Sequence, residues 1–493
     1  MGGIYRLATT LQCRRRPALA AIRLHNRLIS LSTRYLSSPM TRYLSSSTTN
    51  PLSPSDAGML AYETRREIEA NDKLHQLSMA THLSHAGLSR SNNNNSSNDK
   101  SFNLPLSPPI DLATTYERPP NGDYGEDGMI YSRSCNPTRK LLEDTIGQLE
   151  MTSSSTKDQQ QVAPTFAFSS GMAAVSSLLL ACKSQVKLLM PEDVYHGLPT
   201  QLKCLNDHGI VHKSVDMTNI TKIRQQIKEY NESGDDDGCI VVWLETPSNP
   251  LCQVTDIKEV CNLVQEMDKC QHGEGRILTV VDSTWAPPCL TQPLHFGADA
   301  LLHSGTKYLG GHSDVLLGLV SCSPLTENGE WLTERLKAVQ TSIGAVASPL
   351  ECWLTLRGLR TLHLRVQRQC DTAMKLAEYL NGHKSVQTVH YPGLKSHPQH
   401  AIAKQQMMGN KFGGMLSFEV ENESMAMAVA GAVSVIRRAT SLGGTETLIE
   451  HRRSIEPPES TCPAGLLRLS VGLEDAKDLQ HDLEIALEVA SSI

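Results

Sequence analysis

The chain has 493 residues, which is enough for two or three lobes around a large core. Its 46 basic and 52 acidic residues give a formal net charge of −6, so neither nucleic acid nor a membrane surface is indicated as a partner. The 13 cysteines include no C-x-x-C pair, which argues against a disulfide framework and predicts no metal site. No apolar run reaches the roughly 18 residues that a membrane-spanning helix needs.

The first 50 residues have the composition of an organelle transit peptide. They are rich in arginine, serine and threonine, and the first acidic residue of the chain is Asp56. The long apolar segment of a secretory signal is missing from them. We therefore predict a transit peptide over residues 1–50, with the mitochondrion as the favoured destination and a plastid or the cytoplasm as alternatives.

Residues 51–103 are predicted to form an N-terminal arm. The pattern over 57–77 is compatible with a helix, whereas the Asn-rich stretch 89–101 is of low complexity and predicts a disordered insertion. The polar stretch 152–161 is interpreted in the same way. Folded structure is expected to begin near Leu104.

The middle of the chain alternates short apolar runs with helical patterns. This alternation predicts an α/β layer with a mostly parallel sheet, and ligands gather at the carboxyl ends of such strands. We assign residues 104–352 to this large domain. An apolar run at 172–182 is read as a buried helix and 257–268 as another helix. The predicted strands are 186–190, 239–244, 277–281 and 300–302.

The pattern changes after about residue 353. A helical stretch over 359–380 precedes strand-like runs at 414–420 and 466–473, and an amphipathic helix follows near the C-terminus. These elements predict a smaller α/β domain over residues 353–493.

Lys307 lies after the last of the four predicted strands, among hydroxyl residues and glycines, and Asp282 ends the strand before it. A lysine is a nucleophile only when deprotonated, and burial lowers its pKa towards neutrality. Pyridoxal 5'-phosphate (PLP) needs an imine-forming lysine, an acid for its pyridine nitrogen and donors for its phosphate. We therefore predict Lys307 as the catalytic lysine and Asp282 as the acid. The alternative is a surface lysine in a glycine-rich turn.

Donors for the phosphate are predicted in three segments. Gly171 and Met172 open a helical run, where free amides and the helix dipole favour an anion, although a simple helix cap has the same pattern. Ser304 and Thr306 precede Lys307 and add hydroxyls. The guanidinium of Arg133, before an Asn-Pro-Thr helix start, can form paired charged hydrogen bonds; an exposed loop arginine is the alternative.

Three further side chains follow or lie on predicted strands. A tyrosine at position 195 can stack on a pyridine ring and take part in proton transfer, so Tyr195 is also a predicted catalytic residue. Asn249 lies in a polar turn, and ordinary turn chemistry is the alternative for both. Arg468 alternates with Leu467 and Leu469, which places it on the opposite strand face, suited to bidentate capture of a carboxylate. A structural salt bridge is the alternative for Arg468.

Taken in chain order, these segments resemble the Cys/Met-metabolism, or trans-sulfuration, family of PLP-dependent enzymes. The resemblance runs from about Leu104 to the C-terminus. It implies the PLP-dependent transferase fold of type I, an α/β fold with a large, mostly parallel sheet domain and a smaller C-terminal α/β domain. It also implies a homotetramer built as a dimer of dimers, acting on a small sulfur amino acid.

The resemblance implies a role for each matching residue. Lys307 matches the Schiff-base lysine. Tyr131 and Arg133 match a pair that reaches the phosphate of the neighbouring subunit, so the active site would be shared between two chains. Ser441, together with Asn249 and Arg468, matches the positions near the substrate carboxylate. The remaining matches are cofactor ligands: Gly171, Met172, Ser304 and Thr306 for the phosphate, Tyr195 for stacking and Asp282 for the ring nitrogen.

One position departs from the pattern of the well-known γ-enzymes. Thr440 stands where they have a glutamate thought to hold the distal amino group of cystathionine. The overall motif pattern favours a cystathionine γ-synthase or γ-lyase. Cystathionine β-lyase, methionine γ-lyase and homoserine-ester sulfhydrylase remain alternatives.

Two other classes of protein are weighed against an enzyme of this family. A pseudoenzyme acting as an interaction protein is disfavoured because every cofactor position is kept. A nucleotide-binding oxidoreductase is suggested only by the α/β alternation, and the chain has no Gly-x-Gly-x-x-Gly after a first strand.

Overall fold

Two β-sheets organise the part of the chain that the computed structural model describes: residues 78–87, 105–118, 120–121, 129–152, 161–182, 185–232, 238–269, 275–456 and 460–492. The predicted transit peptide, the predicted helix over 57–77 and the Asn-rich insertion lie outside these residues, as does most of the polar stretch 152–161. None of the described helices is long and apolar enough to cross a membrane.

The larger sheet has seven strands in the order β1-β7-β6-β5-β4-β2-β3. Strands β3, β2, β4, β5 and β6 are parallel neighbours, and β7 pairs antiparallel with both β6 and β1. The four strands predicted from apolar runs are β2, β4, β5 and β6, so the mostly parallel sheet is confirmed. The strands are β1 (Thr165–Phe168), β2 (Val186–Pro191), β3 (Ile210–Val215), β4 (Cys239–Glu245), β5 (Arg276–Asp282), β6 (Ala300–Ser304) and β7 (Gly318–Cys322).

Both faces of this sheet are buried. Val241 and Leu278 pack into one apolar cluster, whereas their chain neighbours Val242 and Ile277 pack into another. Strands covered on both faces need apolar residues at every position, which is why these runs are continuous rather than alternating.

Several of the described helices begin at a capping side chain. Asn136 caps α2 ahead of Pro137, Ser170 caps α3, and Asp256 caps α6. Short 3₁₀ turns occur at Asn206–His208, Pro293–Phe296, Met408–Asn410 and Arg453–Ile455. The helices up to residue 381 are α1 (Met79–Ser84), α2 (Pro137–Glu150), α3 (Gly171–Ala181), α4 (Gly197–Leu205), α5 (Ile220–Glu232), α6 (Ile257–Asp268), α7 (Glu327–Ile343), α8 (Pro349–Leu359) and α9 (Leu362–Asn381).

The smaller sheet has five strands in the order β10-β11-β12-β9-β8 and is antiparallel except for the β10–β11 pair. Its central strand β12 ends at Ser470, earlier than the predicted 473, because the Leu473 amide donates to the Thr445 carbonyl outside the ladder. The remaining elements are β8 (Thr388–His390), α10 (His400–Gln406), β9 (Met415–Glu419), α11 (Glu423–Ala432), β10 (Arg437–Arg438), β11 (Leu448–His451), β12 (Leu466–Ser470) and α12 (Ala476–Ser491).

The predicted domain boundary at 352/353 falls within α8, and the division into two domains stays a prediction. The predicted C-terminal helix is α12, whose Leu479, Leu483 and Leu487 are fully buried. Their spacing puts them on one helix face, which packs into the core that also receives the inner side of β12.

Candidate active site

A cavity of about 260 Å³ lies at the carboxyl ends of β5 and β6, where ligands of parallel sheets are expected. A larger cavity of about 560 Å³, near Lys384 and Glu421, is lined by none of the predicted site residues. The smaller cavity brings together ten of those residues: Gly171, Met172, Tyr195, Asn249, Asp282, Ser304, Thr306, Lys307, Ser441 and Arg468.

Lys307 lies in a loop that the backbone holds tightly after β6. The Gly311 amide donates to the Lys307 carbonyl, and the Lys307 amide to the Ser304 carbonyl. The Lys307 ammonium donates to the Ser441 hydroxyl over 2.9 Å. Burial, helped by the positive charge of Arg468, lowers the pKa of Lys307 to about 8. The side chain is therefore poised to exchange a proton near neutral pH.

Asp282 ends β5, half-buried beside the buried carboxyl group of Glu245. Its Oδ1 accepts a 2.9 Å hydrogen bond from the Thr284 amide, and Glu245 is its register partner on β4. Burial raises the pKa of Asp282, and burial together with Asp282 raises the pKa of Glu245 well above its ordinary value. Two carboxyl groups on adjacent strands, one buried and one half-buried, disfavour each other's ionisation unless a cation lies near them. The arrangement therefore favours a ligand that brings a positive charge to Asp282.

The opposite part of the cavity is suited to an anion. The first amides of α3 have no acceptor within the helix, and Gly171 and Ser304 line the cavity side by side, so that a Cβ at Gly171 would be in van der Waals contact with the Ser304 hydroxyl, 3.4 Å away. The Thr306 hydroxyl accepts a 3.0 Å hydrogen bond from the Leu317 amide, which anchors it in the same region. Small residues thus leave room beside a helix N-terminus for a phosphate-sized group.

Arg468 points into the cavity from β12 and is 4% exposed. Its guanidinium donates to Asn249 Oδ1 over 3.1 Å, to the Ser441 carbonyl over 3.2 Å and to Glu450 Oε2 over 2.7 Å. Burial, with the neighbouring Arg452, lowers the pKa of Arg468 to about 10, so the group still carries its charge at neutral pH. These contacts hold a rigid cation beside Lys307.

Ser441 connects the two cations of the cavity. Its hydroxyl contacts Lys307 and its carbonyl contacts Arg468. Its φ is +99°, a strained conformation for a residue other than glycine. The neighbouring Gly443 also has positive φ, and a Cβ there would lie 2.7 Å from the Tyr308 amide nitrogen. The Lys307 loop and this turn can approach so closely only because position 443 is glycine.

Tyr195 enters the cavity from the loop after β2 and is 40% exposed. Its amide donates to both carboxylate oxygens of Glu245, over 3.2 and 3.1 Å, and the Asn249 amide donates to the same group over 2.9 Å. Glu245 therefore fixes two predicted site loops at once. The pKa of the Tyr195 hydroxyl is raised, mainly by burial.

Tyr131 and Arg133 are the two predicted residues that do not line this cavity. Both are exposed, with the Arg133 guanidinium 5.8 Å from the centre of the Tyr131 ring and hydrogen-bonded to the Thr341 carbonyl. Within a single chain they are thus outside the site.

Sequence reasoning missed four polar residues that shape the site. Glu245 ends β4, and Thr284 follows the end of β5 two residues after Asp282. A position at the carboxyl end of a parallel strand could have identified both as site residues. Glu450 and Arg452 lie on and just after β11, and no local pattern distinguished them from surface charges. Both are buried: Glu450 pairs with Arg468 and with Arg452, and Arg452 itself lines the cavity.

A half-buried lysine of lowered pKa, a carboxyl group and an anion-binding helix end in an α/β fold define a PLP-type site. Residues 88–488 match the model of the family described as Cys/Met metabolism PLP-dependent enzyme. The chain therefore belongs to the Cys/Met-metabolism family of PLP-dependent enzymes, as its motifs predicted, and its cofactor is PLP.

Curated relatives and solved structures agree with this membership. The chain is 40% identical to a cystathionine β-lyase of Lactococcus lactis, over 78% of this chain and 94% of the relative. It is 37% identical to a cystathionine γ-lyase of Bacillus subtilis, over 78% and 94%. A cystathionine γ-synthase structure from Xanthomonas oryzae pv. oryzae is 33% identical in sequence, with a TM-score of 0.73. The match covers 85% of this chain and 100% of the γ-synthase chain. The type I fold prediction is thereby confirmed.

The charges of the cavity fit this cofactor. A protonated ring nitrogen supplies the cation that Asp282 favours, and the N-terminus of α3 supplies amides for a phosphate. Lys307 lies in the same cavity with its pKa lowered to about 8.

The lowered pKa of Lys307 is directly measurable. In protein freed of PLP, acetylation of Lys307 by a trace of acetic anhydride is expected to rise with pH and to level off above about 8, because only the neutral amine reacts. Mass spectrometry quantifies the acetylation of Lys307 at each pH. Reactivity that kept rising through pH 10 without levelling off would contradict the burial argument.

Proposed function

We propose that the protein makes or breaks the carbon–sulfur bond of cystathionine or a related sulfur amino acid. The carrying observation is that Ser441 joins the Lys307 amine and the Arg468 guanidinium within one cavity. An amino acid whose carboxylate reached Arg468 would have its α-carbon near an amine able to move a proton. The named relatives, which are cystathionine β- and γ-lyases, support this choice of bond.

Different residues of this chain would move the proton, bind the carboxylate and contact the cofactor ring. Lys307, as a neutral amine, would take a proton from the substrate and return it at another carbon. Arg468, with Asn249 and Ser441, would hold the α-carboxylate. Tyr195 would stack above the ring and assist proton transfer. When bound, PLP supplies an electron sink for charge that develops at the α-carbon.

We also propose that each cavity is completed by a second copy of the chain, within a homotetramer built from two such dimers. The support is that Tyr131 and Arg133, which match phosphate-binding positions of the family, lie exposed and outside the cavity of their own chain. A partner chain presenting the same surface could bring them to the cavity by two-fold symmetry.

Products formed from cystathionine test the reaction. Pyruvate with homocysteine would identify β-cleavage, and 2-oxobutyrate with cysteine would identify γ-cleavage; either pair supports the proposal. Cystathionine formed from cysteine and an activated homoserine would support it as a synthase. If the PLP-loaded protein gives none of these products, and forms neither methanethiol from methionine nor homocysteine from sulfide and an activated homoserine, the proposal is wrong. The γ-type preference and the role of Thr440 stay predictions until the products are known.

A further inference from the structure

Glu450 is shared by two arginines beside the cavity. Its Oε2 accepts from Arg468 Nη2 over 2.7 Å and from Arg452 Nη1 over 2.8 Å. Glu450 lies opposite Arg468 in the β11–β12 register, so the backbone ladder fixes this pair. The side chains of Arg468, Glu450 and Arg452 are 4%, 8% and 1% exposed, so water screens these charges only weakly.

The other end of Arg452 reaches the opposite wall of the cavity. Its Nη2 donates to Glu456 and lies 3.4 Å from His196 Nδ1. The His196 ring is in turn 4.8 Å from the ring of Tyr195. One guanidinium therefore connects the turn after β2 in the large sheet with β11 in the small sheet.

The charges explain why a second arginine matters. Two buried carboxylates, Glu450 and Glu456, face two buried guanidiniums, and each arginine needs one of these charges. Without Arg452, Glu450 would have Arg468 as its one remaining arginine among the described residues. It would then turn fully onto Arg468 and occupy donors that an incoming carboxylate requires. Arg452 prevents this because it donates a hydrogen bond to the same Glu450 oxygen, Oε2.

We propose that Arg452 is a positioning residue that keeps Arg468 available for the substrate carboxylate by sharing Glu450 with it. This inference rests on the proposed function, in which Arg468 binds that carboxylate. Arg452 acts on Arg468 through Glu450 and thus sets the affinity for the carboxylate.

Two amines that differ in a carboxylate separate this role from a general structural one. The PLP-loaded enzyme is titrated with L-alanine and with ethylamine, and the change in visible absorbance gives each apparent Kd. Arg452→Gln is expected to weaken L-alanine binding about tenfold and to leave ethylamine binding unchanged, since only the former has a carboxylate. Arg452→Lys, which keeps the charge without the fork, should show a smaller loss for L-alanine alone. The exposed Arg437 of the same sheet gives the matched control, because Arg437→Gln should bind both amines normally.

Each contrary result has a defined meaning. Unchanged L-alanine binding in Arg452→Gln, or equal weakening of both amines, would overturn the positioning role. If Arg452→Gln does not fold, Arg452→Lys decides by the same comparison. If the unaltered enzyme itself does not prefer L-alanine to ethylamine, the proposed carboxylate site at Arg468 is wrong, and that failure is distinct from a failure at Arg452.

Discussion

Replacement of Lys307 by alanine is expected to remove both the yellow colour and the activity of the protein. The visible absorption band, which borohydride should bleach in the unaltered protein, requires the Lys307 amine. The reaction requires the same amine to move protons, so kcat should fall by about a thousandfold or more. Absorbance spectra and an assay with cystathionine measure both effects.

The exposed Lys258 provides the matched control, and Lys258→Ala should keep colour and activity. Thermal unfolding of the two PLP-free variants should be similar, because the Lys307 ammonium makes a single side-chain hydrogen bond among the described residues, to Ser441. A colourless unaltered protein that gains no band with added PLP would argue instead for a pseudoenzyme. A yellow, active Lys307→Ala variant would refute the assignment of this lysine.

Hybrid dimers are expected to recover activity that neither parent variant has. Lys307→Ala and Arg133→Ala dimers should each be nearly inactive. In a hybrid of the two, one cavity combines an intact Lys307 with the partner chain's intact Arg133, so about half of the normal activity should return. Purified hybrids carrying two different affinity tags allow this to be assayed with cystathionine.

The control for this experiment places both substitutions in one chain. A chain with Lys307→Ala and Arg133→Ala, paired with an unaltered chain, should be inactive if Arg133 acts across the interface. If Arg133 instead serves its own chain, this second hybrid keeps about half of the activity and the first one has none. The two hybrids therefore give opposite results for the two arrangements.

Much of the site was predictable because buried parallel strands have a recognisable local sequence pattern. A continuous apolar run predicts a strand covered on both faces, and the polar residue after it predicts a place at the ligand-binding edge. Asp282 and Lys307 follow this rule. Arg468 also followed from local alternation, since Leu467 and Leu469 enter the core while Arg468 faces the cavity.

Contacts between distant segments could not be predicted in this way. Glu450 and Arg452 look like surface charges in the sequence, yet they are buried around Arg468. The end of β12 was also misplaced, because the Leu473 amide finds its acceptor, the Thr445 carbonyl, in a distant turn. Such partners depend on how whole helices and strands pack, and the secondary-structure propensity of a segment does not indicate them.

The sequence by itself determined the cofactor class, because the lysine loop, the strand-end acid and the helix start each have a local pattern with a chemical meaning. It also determined which runs form the central sheet. Only the tertiary structure decided that Lys307 meets Ser441, 134 positions away, and that Glu450 joins Arg468 to Arg452. The physical reason is that these charged and hydroxyl groups acquire their partners, and Lys307 and Arg468 their lowered pKa values, from burial that exists only once the chain has folded.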